Sequence, residues 1–166
     1  SGTGSDTFHD GGGSNGVEMG QGDDTIVVAS AMDAGDDYVG NAGTDTIDFS
    51  ARAVGVSVTF GDDTNDDGQT AGVENDDIDE FETVIGTDFD DVLDASASSV
   101  AVSFTARDGD DTLTGSTLSD TYLAGADDDG ADTIVDGGGA SDHADYAART
   151  STLDLTLAGG ANDGAM

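Results

Sequence analysis

The sequence contains no cysteine, proline, tryptophan or lysine. Without cysteine there are no disulfides, zinc–thiolate sites or cysteine nucleophiles. Three arginines stand against 37 acids, for a formal net charge of −34. Nucleic acids and anionic membranes are held by basic side chains that neutralise phosphates, so this charge argues against both partners. No apolar run approaches the roughly 20 residues that span a bilayer, and no signal-peptide pattern is visible. Hydrophobic residues make up 35% of the chain and aromatics 5%, which is little for an ordinary packed core. Charge this high at this hydrophobicity normally marks disorder. The Asp and Gly are periodic, however, and periodicity argues for a fold.

The acids are 33 Asp and only four Glu (Glu18, Glu74, Glu80, Glu82). A salt-adapted surface would use both kinds, so a halophilic source is at most an additional cause. The preference points to turns, where Asp bonds nearby backbone, and to hard-cation sites. Three nonapeptides run in one register: Ser1 to His9, Asp10 to Glu18, and Met19 to Val27. Each reads x-G-x-G-x-(D/N)-x-U-x, with U apolar, the turn-and-strand repeat of calcium-loaded solenoids. Looser copies follow around Asp36–Asp37, Asp45, Asp91, Asp111, Asp120 and Asp132. A longer unit overlies them, because the segment Asp45 to Arg52 recurs at Asp142 to Arg149. The alternating stretches Val56 to Phe60, Val100 to Phe104 and Leu153 to Leu157 predict half-buried strands. No segment shows a helical period.

The nonapeptides resemble the RTX, or hemolysin-type, calcium-binding repeats. The segments Gly43 to Ala51, Gly55 to Phe60 and Phe81 to Asp94 are similar to a unit of large secreted RTX proteins. The resemblance implies a parallel β-roll, calcium between successive turns and type I secretion. The expected fold is therefore all-β, a parallel β-roll or β-solenoid with Gly–Asp turns, with an inserted or enlarged sheet section allowed in the middle. One domain covers 1–166: nonapeptides over 1–48, long strands and an acidic loop over 49–105, nonapeptides over 106–145, and the start of a second long unit over 146–166.

The residues themselves account for the ion. Glycines allow positive φ, so the turn curls and its carbonyls face inward. Calcium takes six to eight oxygens at about 2.3–2.6 Å. One turn cannot supply them, but two turns stacked about 4.8 Å apart can. Turns alternate between two sides of a flattened coil, so Asp6 should pair with Asp24 while Asn15 faces the other side. Phe8, Val17 and Ile26 should then point inward. The candidate metal ligands on this pattern are Asp6, Asn15, Asp24, Asp37, Asp45, Asp91, Asp111, Asp120, Asp132 and Asp142. A second type of site is suggested by Asp63, Asn65, Asp67 and Glu74, which fit the D-x-[DN]-x-[DN]-G-x5-E spacing of a calcium loop. Several ions are expected, and their binding energy becomes folding energy.

The remaining features have plainer readings. The runs Asp76–Asp77 and Asp127–Asp129 read as solvated loops, and His9 and His143 as surface residues. Phe8, Phe60, Phe89, Phe104, Tyr122 and Tyr146 read as packing; Arg52 and Arg149 read as structural. No nucleophile motif is present, and carboxylate pairs carry no information among 37 acids, so no enzyme is expected. The functional expectation is a secreted or cell-surface calcium-binding structural module, acting in adhesion, a surface layer or filament assembly. Self-association or tandem neighbouring modules would be its partners. The alternative is a non-catalytic calcium-binding accessory module of an exported polysaccharide-modifying enzyme, with polysaccharide as partner.

Overall fold

The computed structural model describes residues 2–28, 35–62, 67–69, 75–123, 130–139 and 141–148. Among them are fifteen short strands and no helix. In chain order the first five are β1 (Thr7–His9), β2 (Gly16–Gln21), β3 (Thr25–Val27), β4 (Asp37–Ala42) and β5 (Thr46–Asp48). Then come β6 (Val56–Thr59), β7 (Gly68–Gln69), β8 (Asp77–Asp79), β9 (Thr83–Ile85) and β10 (Val92–Asp94). The last five are β11 (Ser103–Thr105), β12 (Thr112–Thr114), β13 (Thr121–Leu123), β14 (Thr133–Val135) and β15 (His143–Asp145).

These strands stack as a parallel β-solenoid of about 6 turns. One face is a continuous seven-stranded sheet in the order β1-β3-β5-β9-β11-β13-β15. The other face is divided into a sheet β2-β4-β8 and a sheet β14-β12-β10-β6-β7. Thr, Val and Ile favour the pleated backbone, and the Gly–Asp turns stop most strands after three residues. In a three-residue strand the middle side chain faces inward; it is buried in most of them, partly buried in β1 and β14, and exposed in β15. In the continuous sheet the inward column is therefore Phe8, Ile26, Ile47, Val84, Phe104, Tyr122 and Ala144, in register. Phe104 and Tyr122 stack with ring centroids 5.7 Å apart. Opposite lie Val17, Tyr38 and Ile78 in one sheet and Val58, Leu93, Leu113 and Ile134 in the other. Phe8 and Val17 are partly buried against this core, and Ile26 is fully buried.

The division of the second face comes from the coil that joins β5 to β9, which carries three strands where other coils carry one. Its first, β6, pairs parallel with β10, and its last, β8, pairs parallel with β4. Between them β7 runs antiparallel to β6, and Asp67 bridges antiparallel to Asp76. The middle of the chain thus stays within the roll and enlarges it. At the junction of the two sheets Val39, Gly61, Asp79, Glu80 and Ser98 help to line a cleft of about 360 Å³.

Some local expectations change. Of the alternating stretch 100–104, only Ser103 and Phe104 are strand, as part of β11, and Val102 is buried in the preceding turn. Phe89 sits at a turn tip and is 45% exposed, so it packs less than its aromatic character suggested. Asp76 is buried and Asp77 opens β8, so this pair is not a solvated loop. Arg149, Asp127–Asp129 and the stretch 153–157 lie outside the described residues.

Candidate metal centres: the carboxylate ladders

The backbone N–H just before a parallel strand needs an acceptor, and here the next coil supplies a carboxylate. Each strand of the continuous sheet is preceded by one such position: Asp6, Asp24, Asp45, Glu82, Val102, Asp120 and Asp142. The Asp6 N–H donates to Asp24 Oδ1 at 2.6 Å, and the Asp24 N–H donates to Asp45 Oδ1 at 2.8 Å. The Asp45 N–H donates to Glu82 Oε2 at 2.8 Å. Further along, Val102 donates to Asp120 and Asp120 to Asp142. The opposite edge repeats the device. Asn15 donates to Asp36 Oδ1 at 2.7 Å, and Asp36 to Asp76 Oδ1 at 3.0 Å. Val56 donates to Asp91, Asp91 to Asp111 and Asp111 to Asp132. Such charge-assisted bonds are stronger than neutral ones.

A second set runs the other way. Asp23 Oδ1 accepts from the Thr44 N–H at 2.9 Å, Asp90 Oδ1 from the Asp110 N–H at 2.9 Å, and Asp110 Oδ1 from the Ala131 N–H at 2.8 Å. In the pairs Asp23–Asp24, Asp90–Asp91 and Asp110–Asp111, the first carboxylate therefore clips the following coil and the second clips the preceding one. A third set ends strands: Asp48, Asp94 and Asp145 each accept from the backbone two residues on, as Asp does in turns.

Most of the expected ligand positions meet on these ladders. Asp6, Asn15, Asp24, Asp45, Asp91, Asp111, Asp120, Asp132 and Asp142 all stand on one edge or the other. Asp37 does not: it opens β4 and is exposed, and the ladder position belongs to Asp36. Asp76, which the sequence places in a solvated loop, and Glu82, to which it assigns no site, also belong to the ladders. The Asp63, Asn65 and Glu74 positions lie outside the described residues. Asp67 is buried, and its Oδ1 accepts from the Thr59 N–H at 2.6 Å.

In the ladder carboxylates that accept these bonds one oxygen is thus engaged by backbone, and the other differs from turn to turn. The Oδ2 atoms of Asp10, Asp24, Asp36, Asp45 and Asp111 are buried with no hydrogen-bond partner among the described residues. Asp24 and Asp111 are 1% exposed and Asp45 is 0% exposed. An unpaired buried acceptor costs about 1–3 kcal/mol, and more when charged. By contrast, Asp91 Oδ2 accepts from the Thr87 N–H, and Asp120 Oδ2 from the Ser116 N–H, both at 2.7 Å.

The electrostatics follow the burial. Burial pushes the Asp45 carboxyl up from its ordinary value; the Asp24 N–H bond opposes this, while the charges of Asp24, Asp23 and Glu80 add to it. Glu82 is raised by burial in the same way. Asp111 is pushed up to about 8 by burial, with the Asp91, Asp132 and Asp90 charges contributing against the bond from the Asp91 N–H. Asp91 is raised by burial, opposed by bonds from Val56 and Thr87. The Tyr38 hydroxyl is raised by burial first and then by Asp36 and Asp10.

The turns leave room for backbone oxygens as well. Gly22 (φ +127) and Gly43 (φ +155) adopt conformations that L side chains rarely take. A Cβ on Gly43 would strike the Gly22 carbonyl, and one on Gly22 would lie 2.5 Å from the Gly4 carbonyl oxygen. The turns therefore stack backbone on backbone. Among the described residues no three His, Asp or Glu side chains form a metal-holding group. A cation between these turns would take part of its shell from carbonyls, and calcium accepts such mixed oxygen sets. Buried carboxyl oxygens without partners, in turns whose carbonyls stack, fit a hard divalent cation that would displace any proton they carry. The chain matches no protein-family model and no curated protein.

Proposed function

We propose that this chain is a secreted calcium-binding structural module, akin to the RTX repeats it resembles, that folds on extracellular calcium. The single observation that supports this most is the set of buried, unpartnered Oδ2 atoms on Asp24, Asp45 and Asp111. Inside a cell, where calcium is scarce, each faces like charges of its ladder neighbours, Asp45 those of Asp24 and Asp23, and Asp111 those of Asp91 and Asp132. Outside, millimolar calcium suits numerous weak sites. Ion binding then adds directly to folding stability. A rigid solenoid assembled in this way serves as a spacer or scaffold in adhesion, a surface layer or a filament, and carries no catalytic role.

The test is far-UV circular dichroism and sedimentation velocity in dilute buffer, with calcium, with magnesium and with chelator. Calcium should restore the part of the β-structure and compactness that chelation removes, and magnesium should do so poorly because it demands tighter octahedral geometry. A molecule that kept its spectrum and sedimentation unchanged after chelation at low salt would overturn the reading.

A further inference from the structure

Two turns differ from the others in a way that the ion reading does not require. In Gly86-Thr87-Asp88-Phe89-Asp90-Asp91 the Thr87 N–H donates to Asp91 Oδ2 at 2.7 Å, and the Thr87 hydroxyl donates to Asp91 Oδ1 at 2.9 Å. The same hydroxyl oxygen accepts from the Phe89 N–H at 3.0 Å. In Gly115-Ser116-Thr117-Leu118-Ser119-Asp120 the pattern recurs. The Ser116 N–H donates to Asp120 Oδ2 at 2.7 Å, its hydroxyl lies 3.1 Å from Oδ1, and the Leu118 N–H donates to that hydroxyl at 3.0 Å. Thr87 and Ser116 are both 0% exposed. The glycine before each is required, because a Cβ on Gly86 or Gly115 would come within 2.5 or 2.7 Å of the same carboxylate oxygen.

In these turns the chain itself supplies what the open turns leave unmet. A carboxylate that accepts from two or three donors has its charge compensated by dipoles, and no oxygen is left facing an empty side. The open turns at Asp24, Asp45 and Asp111 have no such residue four positions earlier. There stand Gly20, Asn41 and Arg107, each at positive φ.

Resting on the calcium reading above, we infer that Thr87 and Ser116 act as built-in substitutes for the ion. The turns ending at Asp91 and Asp120 bind no calcium and hold without it, while the turns ending at Asp24, Asp45 and Asp111 bind it. Two further ladder positions support the division. Val56 and Val102 take ladder places on the two edges with apolar side chains, which offer a cation nothing.

Two measurements on the full chain test this. In calcium titrations, Asp45→Asn and Asp111→Asn should each lower the number of ions bound or weaken one site at least about tenfold. Asp91→Asn and Asp120→Asn should leave stoichiometry and affinities within about twofold. If the last two lose an ion as the first two do, the inference is overturned and the calcium reading stands. Because Asp91→Asn could disturb folding, hydrogen exchange on the unaltered chain gives a second reading. Chelation should speed exchange of residues 20–24 and 41–45 at least about tenfold, and of residues 86–91 and 115–120 less than about twofold. Equal acceleration in both sets overturns the inference. No calcium binding by the unaltered chain removes both readings together.

Discussion

Coils built from residues 2–48 and coils built from 49–123 hold together by different means. The first set has a thin interior: Phe8 and Val17 are only partly buried, and the closed positions are Met19, Ile26, Val28, Tyr38 and Ile47. Its turns leave Oδ2 of Asp10, Asp24, Asp36 and Asp45 unpartnered. The second set contains every buried phenylalanine (Phe49, Phe60, Phe81 and Phe104), together with Val58, Ile78, Leu93 and Leu113. Two of its turns close their own carboxylates through Thr87 and Ser116. Where apolar burial is scarce the chain leaves carboxylate oxygens open to a cation; where burial is plentiful Asp91 and Asp120 are closed by their own turns, while Asp111 stays open. The same parallel architecture therefore accommodates two sources of cohesion.

Four changes would break or sharpen this contrast. The largest effect is expected from Phe104→Ala, which opens a cavity beside Tyr122 and Val84 and should cost about 3–5 kcal/mol. Chemical denaturation should show that cost with and without calcium; a loss confined to the calcium-free state would place the coil in the ion-dependent set. Gly43→Ala comes next. It drives a Cβ into the Gly22 carbonyl at φ +155 and should cost about 1–3 kcal/mol, read as a lower unfolding midpoint together with weaker calcium binding. Thr87→Ala removes the hydroxyl that serves both Asp91 and the Phe89 N–H and should cost about 1 kcal/mol. Thr87→Ser should restore most of that loss.

The smallest change is pH alone, in chelator. Asp45, Glu82, Asp91 and Asp111 have folded-state values raised above their ordinary ones, Asp111 from 3.8 to about 8. A raised value means that the folded state favours the protonated form. That stabilisation is complete below the unfolded value and is lost as pH rises through the folded one. The ion-free chain should therefore unfold at higher urea at about pH 5 than at about pH 8. The reverse order would contradict the burial of these carboxyls.

Much of this was legible from the repeat. The nonapeptide register placed Asp6 opposite Asp24 and Asn15 on the other edge, because glycine, Asp and one apolar residue map onto turn, ladder and core by local geometry alone. The slip in spacing before β4 hid the choice between Asp36 and Asp37, since either could begin the strand. Glu82 and Asp76 were not legible as ladder members: their hydrogen-bond partners, Asp45 and Asp36, lie 37 and 40 residues earlier. The opposite directions taken within each Asp–Asp pair also depend on the coils stacked above and below. Thr87 and Ser116 look like ordinary turn residues until the fate of each carboxylate oxygen is followed.

The side-chain clips described above join a coil only to its immediate neighbours, and none reaches across two. Asp24 holds Asp6, Asp45 holds Asp24, and the apolar column adds one residue per step. A module wired in this way can change length by whole coils. Duplicating residues 23–43 would give each of these clips an equivalent partner, and only the distance between the two flanks would change. Extension by gene duplication thus needs no redesign of what is already in place.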